Sequence, residues 1–336
     1  MKFKKLIKYL GRLNIYQTVP VYNFNWLRSE KFYQKILGNS DITLVDVGSR
    51  GLSSEELLPL QKHIHYIGFD ADAEEVVRLN LGSTIFKSAK FMAAYVGQKK
   101  SNVKFGIHNK AGNSSIYPFG EYYNKWFLGE DQNYIKTWLD LKAEPLDELV
   151  EVEVDFIKLD TQGSEYEILK GAKRCLNSAL MVEVEVEFIQ MYQGQKLAHD
   201  VMQLMQESGF ELLYLNRVFQ KSKAFKGESR GQMIFGDALF GISRERALKL
   251  DVGRQLKYLA LLVNYGHLDF VYDIYKSSQK LQKSNPQIGL ILSSLNNRNK
   301  LYSAAKVLID KLIFLLLAAR KTNGFGSDSD RSWPIR

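Results

Sequence analysis

The sequence lacks a second cysteine, a long apolar run and an export signal. Cys175 stands alone, which excludes an intrachain disulfide and a cysteine-rich metal site and fits a reducing, cytoplasmic setting. The longest apolar run, LIFLLLAA over 312–319, is far shorter than the roughly 20 residues that span a bilayer. We expect it to pack inside a helical layer. The start, MKFKKLIKYLGRLNIY, has only isolated apolar residues among its lysines, so no export is predicted.

The composition is that of an ordinary globular protein with unevenly placed charge. With 336 residues, 45% hydrophobic and 25% charged, the chain can form one large domain and a smaller one. The net charge is +9, yet residues 1–31 and 244–336 are both basic and the segment between them is acidic. Basic ends can approach anionic lipid, nucleic acid or a phosphate-bearing substrate, although a solvated basic surface is the simpler explanation.

The order of apolar segments predicts an α/β fold. Residues 1–40 are interpreted as a helical N-terminal arm on the domain surface, since apolar residues recur there at helical spacing. Between 41 and 243, buried-strand patterns alternate with helical ones, which predicts a doubly wound, mostly parallel sheet of about seven strands. The predicted strands include segments 42–48, 63–70, 91–96, 103–107, 155–160, 179–187 and 232–242. The sequence of residues 244–322 predicts a separate helical region, and that of residues 323–336 predicts a disordered tail.

A polar turn follows each of the first two strands. The segment Asp46-Val47-Gly48-Ser49-Arg50-Gly51 predicts a tight backbone turn that can approach a ligand closely. Asp70 ends the second strand, where a Rossmann-type domain places a carboxylate on two ribose hydroxyls, and Asp72 is beside it. A helix cap or a solvated loop residue is the structural alternative. Together these residues favour a nucleoside-containing cofactor, either NAD or S-adenosylmethionine.

The stretch VDFIKLDTQGSEYEILKGAKRCL over 154–176 distinguishes between the two cofactors by resemblance. It resembles the signature of FkbM methyltransferases, with Asp160, Gln162, Gly163 and Glu165 at family positions. GNSSIY at 112–117, PLDEL at 145–149 and EVEFIQMYQGQKL at 185–197 are also similar to the family. The resemblance covers roughly residues 40–243 and leaves both ends unexplained.

This resemblance implies a Rossmann-like class I domain that uses S-adenosylmethionine and methylates oxygen. The implied cofactor site is the first two turns together with the signature: Asp46, Gly48, Ser49, Arg50, Gly51, Asp70, Asp72, Asp160, Gln162 and Gly163. The family's first motif usually reads Asp-x-Gly-Ala-Asn-x-Gly, whereas this chain is one residue shorter between its glycines and has Arg50. A guanidinium there can contact the methionine carboxylate or a substrate phosphate.

Asp160 is the first candidate for catalysis. At the carboxyl end of a central strand it faces the crevice where ligands bind, so it can position the acceptor, act as a base or hold a divalent metal. A metal finds no other support, because the five histidines show no ligand-like spacing. Glu165 and His199 are further catalytic candidates, and His199 follows the GQKL segment on the expected substrate side.

Four residues are candidates for contact with the acceptor: Asn113, Ser114, Ser115 and Glu185. A polar turn is the simpler account of the first three. For Glu165, Glu183 and Glu185 taken singly, a helix-start acid or a solvated strand face is the favoured interpretation. Aromatic residues over 119–138 predict either part of the substrate wall or core packing.

Three functions are compatible with these features. The first is an O-methyltransferase acting on a carbohydrate, such as a glycan precursor in a bacterial surface-polysaccharide pathway, or on a macrolide-type or other small-molecule hydroxyl. Its basic ends would dock lipid-linked acceptors at the inner membrane face, and no nucleic-acid partner is expected. The second is a degenerate methyltransferase-fold binding protein in glycan assembly, supported only by Arg50 and the shortened turn. The third, an NAD-linked oxidoreductase, lacks the third glycine and a Tyr-x-x-x-Lys pair.

Overall fold

A computed structural model describes residues 29–51, 55–128, 134–227, 229, 231–296 and 327–329. The strands in these residues form one large and one small sheet. Along the chain they are β1 (Ile42–Val47), β2 (Ile64–Asp70), β3 (Ser88–Ala93), β4 (Tyr95–Gly97), β5 (Ser101–His108), β6 (Ile135–Pro145), β7 (Phe156–Leu159), β8 (Met181–Glu187), β9 (Phe210–Gln220), β10 (Gln232–Ile242) and β11 (Ser327–Ser329).

The large sheet has the strand order β3-β2-β1-β7-β8-β10-β9-β11. The first five strands of this order run parallel, and β10 is antiparallel to both β8 and β9. Near-continuous apolar segments such as ITLVDV are buried on both faces, as expected for parallel strands covered by helices. The sheet has eight strands: seven form the mostly parallel α/β sheet with its antiparallel edge, and the short β11 is added beside β9, which confirms the predicted α/β fold class.

Helices cover both faces of this sheet. They are α1 (Glu30–Leu37), α2 (Ala73–Leu81), α3 (Glu121–Trp126), α4 (Leu146–Leu149), α5 (Glu165–Lys170), α6 (Lys173–Ser178), α7 (Ala198–Glu207), α8 (Arg244–Lys249), α9 (Val252–Asn264), α10 (Leu268–Ser277), α11 (Gln279–Ser284) and α12 (Pro286–Asn296). None of these described helices has the length and apolar character needed to cross a membrane. The run at 312–319 lies outside the described residues.

The element after β1 differs from its prediction. The segment SSEELLPL predicts a capped helix, whereas Glu55–His63 is a 3₁₀ helix with Pro59 inside it. Proline lacks the backbone N–H that an α-helix interior needs, which favours the shorter turn. The predicted caps Ser53 and Ser54 lie outside the described residues.

The region between β3 and β7 builds a second sheet that the sequence does not reveal. Residues 91–96 predict one strand, but the chain leaves the large sheet after Ala93 and Tyr95–Gly97 joins a three-stranded sheet of order β4-β6-β5. The aromatic segment 119–138 contributes α3 and the start of β6 to this region.

The described ends of the chain pack against the sheet. Tyr33 of α1 is fully buried, and its hydroxyl donates to Asn264 Oδ1 of α9 at 3.4 Å. Helix α1 therefore packs one face against the core and leaves the other face exposed, while residues 1–28 of the predicted arm lie outside the described residues. Helices α9 to α12 share one continuous apolar core with β1, β7 and β8. Within the tail predicted to be disordered, residues 327–329 form the edge strand β11 on β9.

Candidate functional site

The predicted cofactor residues lie at one edge of the large sheet. Strands β1, β2, β7 and β8 are parallel, so their carboxyl ends meet there; we call this the carboxyl edge. Asp46 lies next to the end of β1, Asp70 ends β2, and Asp160 follows β7 directly. In open α/β sheets ligands bind in the crevice outside this edge.

The turn after β1 is pressed against the end of β7. Gly48 has φ +89°, and a Cβ on it would lie 1.9 Å from the carbonyl oxygen of Asp160, so only glycine fits. The backbone N–H groups of Gly48 and Ser49 both donate to the carbonyl oxygen of Phe69, at 2.9 and 3.1 Å. The predicted tight turn is therefore present and joins the ends of three strands.

Two polar side chains beneath this turn carry groups without a partner. Asp46 is 1% exposed; the hydroxyl of Tyr66 donates to its Oδ2, while Oδ1 has no hydrogen-bond partner among the described residues. Burial raises the pKa of Asp46. The buried hydroxyl of Ser49 also has no partner in that part of the chain. Buried polar atoms are nearly always paired, so these orphan groups fit the polar part of a cofactor.

Arg50 turns toward the acids that follow β2. Its guanidinium lies 2.6 Å from Asp72 Oδ2 and 3.9 Å from Asp70 Oδ1. Asp72 caps α2, accepting from the backbone N–H groups of Glu74 and Glu75, and its own N–H donates to Asp70 Oδ1. In this arrangement Arg50 is an ion-pair partner of Asp72, and its contact with a methionine carboxylate or a phosphate stays a prediction.

Asp70 keeps the position expected of a ribose-binding carboxylate. It is 9% exposed at the end of β2, and burial raises its pKa, while the Asp72 N–H and the Arg50 cation act in the opposite direction. Behind it Glu75 accepts from the backbone N–H of Gly51 at 3.1 Å and from Arg78, which lowers the pKa of Glu75 to about 2.

The signature loop after β7 places an amide between two carboxylates. Gln162 has φ +62°, an uncommon value for a residue with a side chain. Its Nε2 donates to Asp160 Oδ1 at 2.8 Å and to Glu185 Oε2 at 3.0 Å. Its Oε1 accepts from the hydroxyl of Tyr192 at 2.8 Å. The amide thus holds the carboxylates of β7 and β8 side by side at the carboxyl edge.

Glu165 shapes this loop from below. Its carboxylate, 2% exposed, accepts from the backbone N–H groups of Thr161 and Gly163 and from the Thr161 hydroxyl. Burial, with a contribution from the charge of Asp160, raises the pKa of Glu165 to about 7. The geometry makes Glu165 a positioning residue of the loop; its predicted role in catalysis stays a prediction.

The glutamates of β8 are not on a solvated face. Glu183 and Glu187 are 8% and 2% exposed, and Glu185 between them is half-buried. Burial, the charge of Asp160 and the neighbouring carboxylates raise the pKa of Glu185 well above its usual range. The favoured interpretation of a solvated strand face is therefore wrong for Glu183, which is buried beneath the Tyr265 hydroxyl, while Glu185 is partly exposed.

Lys158 of β7 lies among these acids. Strand register places it beside Asp46 on β1 and Glu183 on β8, and its Nζ is 3.9 Å from Glu183 Oε1. Burial lowers the pKa of Lys158, but the carboxylates of Glu183 and Asp46 act more strongly together and raise it overall. Lys158 is not among the residues predicted from the sequence. A lysine within the buried strand DFIKLD nevertheless indicates acidic partners.

The predicted acceptor-binding serines are engaged within the chain. Ser115 Oγ donates to the carbonyl oxygen of Gln162 at 2.7 Å, so the 112–117 segment supports the signature loop. Ser114 Oγ accepts from the backbone N–H of His108, and Asn113 ends a short 3₁₀ helix, Ala111–Asn113. Their contact with an acceptor stays a prediction.

The two histidines near the site differ. His199 begins α7, has an imidazole 78% exposed, and lies 3.5 Å from Asp200; its role as a base stays a prediction. His108 at the end of β5 is 2% exposed, neither of its ring nitrogens has a partner in the described residues, and burial lowers its pKa. It packs edge-on against Phe119, and no signal in the sequence distinguishes it from an ordinary core histidine.

A metal is not indicated in the described ranges. No three His, Cys, Asp or Glu side chains there are arranged to hold an ion. The carboxylates of the carboxyl edge are instead held by the amide, hydroxyl and ammonium groups of Gln162, Tyr66, Tyr265 and Lys158.

Comparison with known proteins identifies the central part of the chain. Residues 62–212 match the family model described as the Methyltransferase FkbM domain, which is somewhat less than half of the chain. No curated protein matches the chain significantly.

Several solved structures are distantly similar to this chain. A methyltransferase FkbM from Methylobacillus flagellatus KT is 13% identical, with 69% of this chain and 59% of that chain covered and a TM-score of 0.32. Magnesium protoporphyrin IX methyltransferase from Synechocystis PCC 6803, solved with bound SAM, is 10% identical over 69% and 90% of the two chains, with a TM-score of 0.33. Precorrin-6y C5,15-methyltransferase from Geobacter metallireducens GS-15 is 9% identical, with 67% of this chain and 93% of that chain covered and a TM-score of 0.33. Likenesses this distant carry no information on the substrate of this chain.

Proposed function

We propose that the chain is a methyltransferase of the FkbM type that transfers the methyl group of S-adenosylmethionine to a hydroxyl of a carbohydrate, such as a glycan precursor. The observation that carries this proposal is the pair of carboxylates, Asp160 and Glu185, bridged by Gln162 at the carboxyl edge. Transfer to a hydroxyl requires a group that accepts its proton, and this pair supplies one.

The residues after β1 and β2 fit the cofactor. Asp70 is placed to accept hydrogen bonds from two ribose hydroxyls, and the unpartnered Asp46 Oδ1 and Ser49 Oγ suit polar atoms of the same molecule. S-adenosylmethionine supplies an activated methyl group when bound. The glycine turn keeps side-chain atoms out of the space that it needs.

The carboxylate pair orients and deprotonates the acceptor. Asp160 and Glu185 each accept one hydrogen bond from Gln162, which fixes their positions. Because the pKa of Glu185 is raised, its carboxylate is a stronger base than an exposed one, and it takes the hydroxyl proton as the acceptor oxygen gains the methyl group. Tyr192 holds the amide oxygen of Gln162, so the amide nitrogen must face the carboxylates.

The choice of a carbohydrate rests on the family resemblance, and a macrolide-type hydroxyl is the alternative acceptor within the same chemistry. The basic termini supply a further element, docking of lipid-linked or phosphorylated acceptors at the inner membrane face, where a polysaccharide pathway would present them. Co-sedimentation with liposomes that does not change with anionic lipid content would count against this docking.

Calorimetric titration with S-adenosylhomocysteine, NAD and NADP tests the cofactor. We expect the wild type to bind S-adenosylhomocysteine alone and Asp70→Ala to lose that binding. Asp140→Ala removes an exposed carboxylate of β6 far along the chain from the turn, and it should bind like the wild type. Binding of NAD alone would overturn the assignment, and no binding at all would favour the degenerate, non-catalytic alternative.

Methyl transfer to a panel of sugars and macrolides then tests the acceptor. Asp160→Asn and Glu185→Gln keep the shape of each side chain and remove the negative charge. We expect both variants to retain S-adenosylhomocysteine affinity and to lose roughly 100-fold or more in transfer rate, the range of general-base contributions. Full activity in both variants would exclude the carboxylate pair as the proton acceptor.

A further inference from the structure

An open groove lies beside the carboxyl edge, between α3 and the turn that joins β9 to β10. We call it the α3–turn groove. It encloses about 300 Å³, and its walls carry three large aromatic side chains that remain exposed: Tyr122 (50%), Trp126 (44%) and Phe225 (52%). Large aromatic side chains are usually buried, so three in one groove indicate a binding surface.

The groove is held open by contacts between its two walls. The hydroxyl of Tyr123 donates to Gln220 Oε1 at 3.0 Å, and that of Tyr122 to Gln232 Oε1 at 3.3 Å. The backbone N–H of Lys223 donates to the carbonyl oxygen of Trp126 at 2.8 Å. Its ammonium group donates to the carbonyl oxygens of Asn124 and Leu128. These bonds preform the site, which reduces the entropy lost on binding.

The lining combines flat rings with neutral polar groups. The carboxamide oxygens of Gln220 and Gln232 accept from tyrosines, which leaves their Nε2 groups as the donors that these two side chains can offer to a ligand. Ser222 and Ser229 add hydroxyls. Lys221 is the one charged residue among the described residues of the lining, and it donates to the carbonyl oxygen of Gly227 at 3.1 Å.

The composition of the lining distinguishes the groove from binding sites for nucleic acids and lipids. A single-stranded nucleic acid is bound by several cations that follow its phosphates, whereas the ammonium groups of Lys221, Lys223 and Lys226 at this groove each donate to a backbone carbonyl. A lipid chain would leave the amide and hydroxyl groups unpaired. Sugar rings offer an apolar face for aromatic stacking and hydroxyls for the amides, and they match both features.

A row of packed, buried rings lies between the groove and the candidate active site. Phe127 in its wall stacks on Tyr123 at 5.7 Å between ring centroids, Tyr123 on Phe119 at 6.2 Å, and Phe119 on Tyr192 at 4.8 Å. Tyr192 then donates to Gln162, which holds Asp160. A ligand that reaches both places is longer than one monosaccharide.

We propose that the α3–turn groove binds a glycan chain at a distance of several sugar units from the one that is methylated. This rests on the proposed function, since the acceptor hydroxyl is then part of an oligosaccharide. Stacking on Trp126 supplies affinity, and the groove selects chains over free sugars.

Calorimetric titration with three hexasaccharides, of α-linked glucose, β-linked glucose and galacturonic acid, tests the groove directly. We expect at least one to bind, and Trp126→Ala to weaken that binding roughly tenfold. Trp138→Ala is the matched control, because Trp138 is 48% exposed on β6 and does not line the groove. Oligo-uridylate is the competing ligand, and the monosaccharides should bind much more weakly than the hexamers.

The outcomes are distinct. Hexamer binding that falls in Trp126→Ala and persists in Trp138→Ala supports the groove. No hexamer binding, an equal loss in the two variants, or preference for oligo-uridylate overturns it. S-adenosylhomocysteine should bind equally to all three proteins; if the wild type fails to bind it, the proposed function fails, and the groove is judged on the hexamers alone.

Discussion

Gly48 lies so close to Asp160 that a single added carbon would meet the Asp160 carbonyl oxygen at 1.9 Å. The turn after β1 and the signature loop after β7 are therefore in direct contact. A change in either backbone displaces the other.

The first prediction follows from this contact. Gly48→Ala adds both a clash and an unfavourable positive φ, so we expect it to lower the free energy of unfolding by more than about 3 kcal/mol and to abolish S-adenosylhomocysteine binding. Gly51→Ala is the control: its φ is +79°, but nothing lies within 4 Å of the new carbon. It should lose only about 1 kcal/mol, measured by urea denaturation. Similar losses in the two variants would contradict the clash.

The second prediction concerns Arg50. Its cation opposes the rise in the pKa of Asp70, so Arg50→Ala should raise that pKa further. If Asp70 binds the ribose as an ionised carboxylate, as proposed, S-adenosylhomocysteine affinity should fall in the variant more at about pH 6 than at about pH 8. Arg78→Ala, which removes the exposed partner of Glu75, serves as the control. An equal loss at both pH values would instead indicate that Arg50 contacts the cofactor itself.

The third prediction concerns Glu187, which has an unpartnered oxygen and is 2% exposed. Burial and the charges of Glu165 and Asp160 raise its pKa well above its usual range. When the pKa of a carboxyl group is higher in the folded protein than in the unfolded chain, the folded protein binds the proton more tightly. The stability that the protonated group contributes is therefore lost as the pH rises above the pKa of the unfolded chain. Glu187→Gln should therefore raise Tm by at least about 2 °C at about pH 8 and change little near pH 4.5. The exposed Glu151→Gln should show no such pH dependence.

The fourth prediction concerns the link between the C-terminal helices and the sheet. The hydroxyl of Tyr265, at the end of α9, donates to Glu183 Oε2 at 2.6 Å. Tyr265→Phe leaves a buried carboxylate with one bond fewer and should lower the free energy of unfolding by about 1–3 kcal/mol. Tyr134→Phe, which changes a side chain that is 56% exposed, should be neutral. Equal stability of both variants in urea would show that the bond contributes nothing.

The sequence predicts what is encoded locally. Asp46, Asp70 and Asp160 were placed correctly at strand ends, because a strand that is apolar and then ends in an acid is recognisable within a few residues. The fold class follows from the same alternation of strands and helices, and the signature identifies the enzyme class.

What the sequence does not predict depends on contacts between distant segments. The register of β1, β7 and β8 places Lys158 between Asp46 and Glu183, and only the folded sheet brings these three together. The same holds for Tyr192, which is 30 positions from the Gln162 that it contacts. Arg50 was assigned to a ligand because its partner, Asp72, follows a whole strand later.

The segment that matches the family model is shorter than the segment that forms the large sheet. The matched segment, 62–212, omits β1, which lies between β2 and β7, and also β10 and most of β9, which form the sheet beyond β8. An excised segment with those borders would have one gap within its sheet and an uncovered edge at β8, and it would expose the acids that Lys158 and Tyr265 hold. Any transplant of this activity into another protein must therefore carry the strand before the signature and the helices after it.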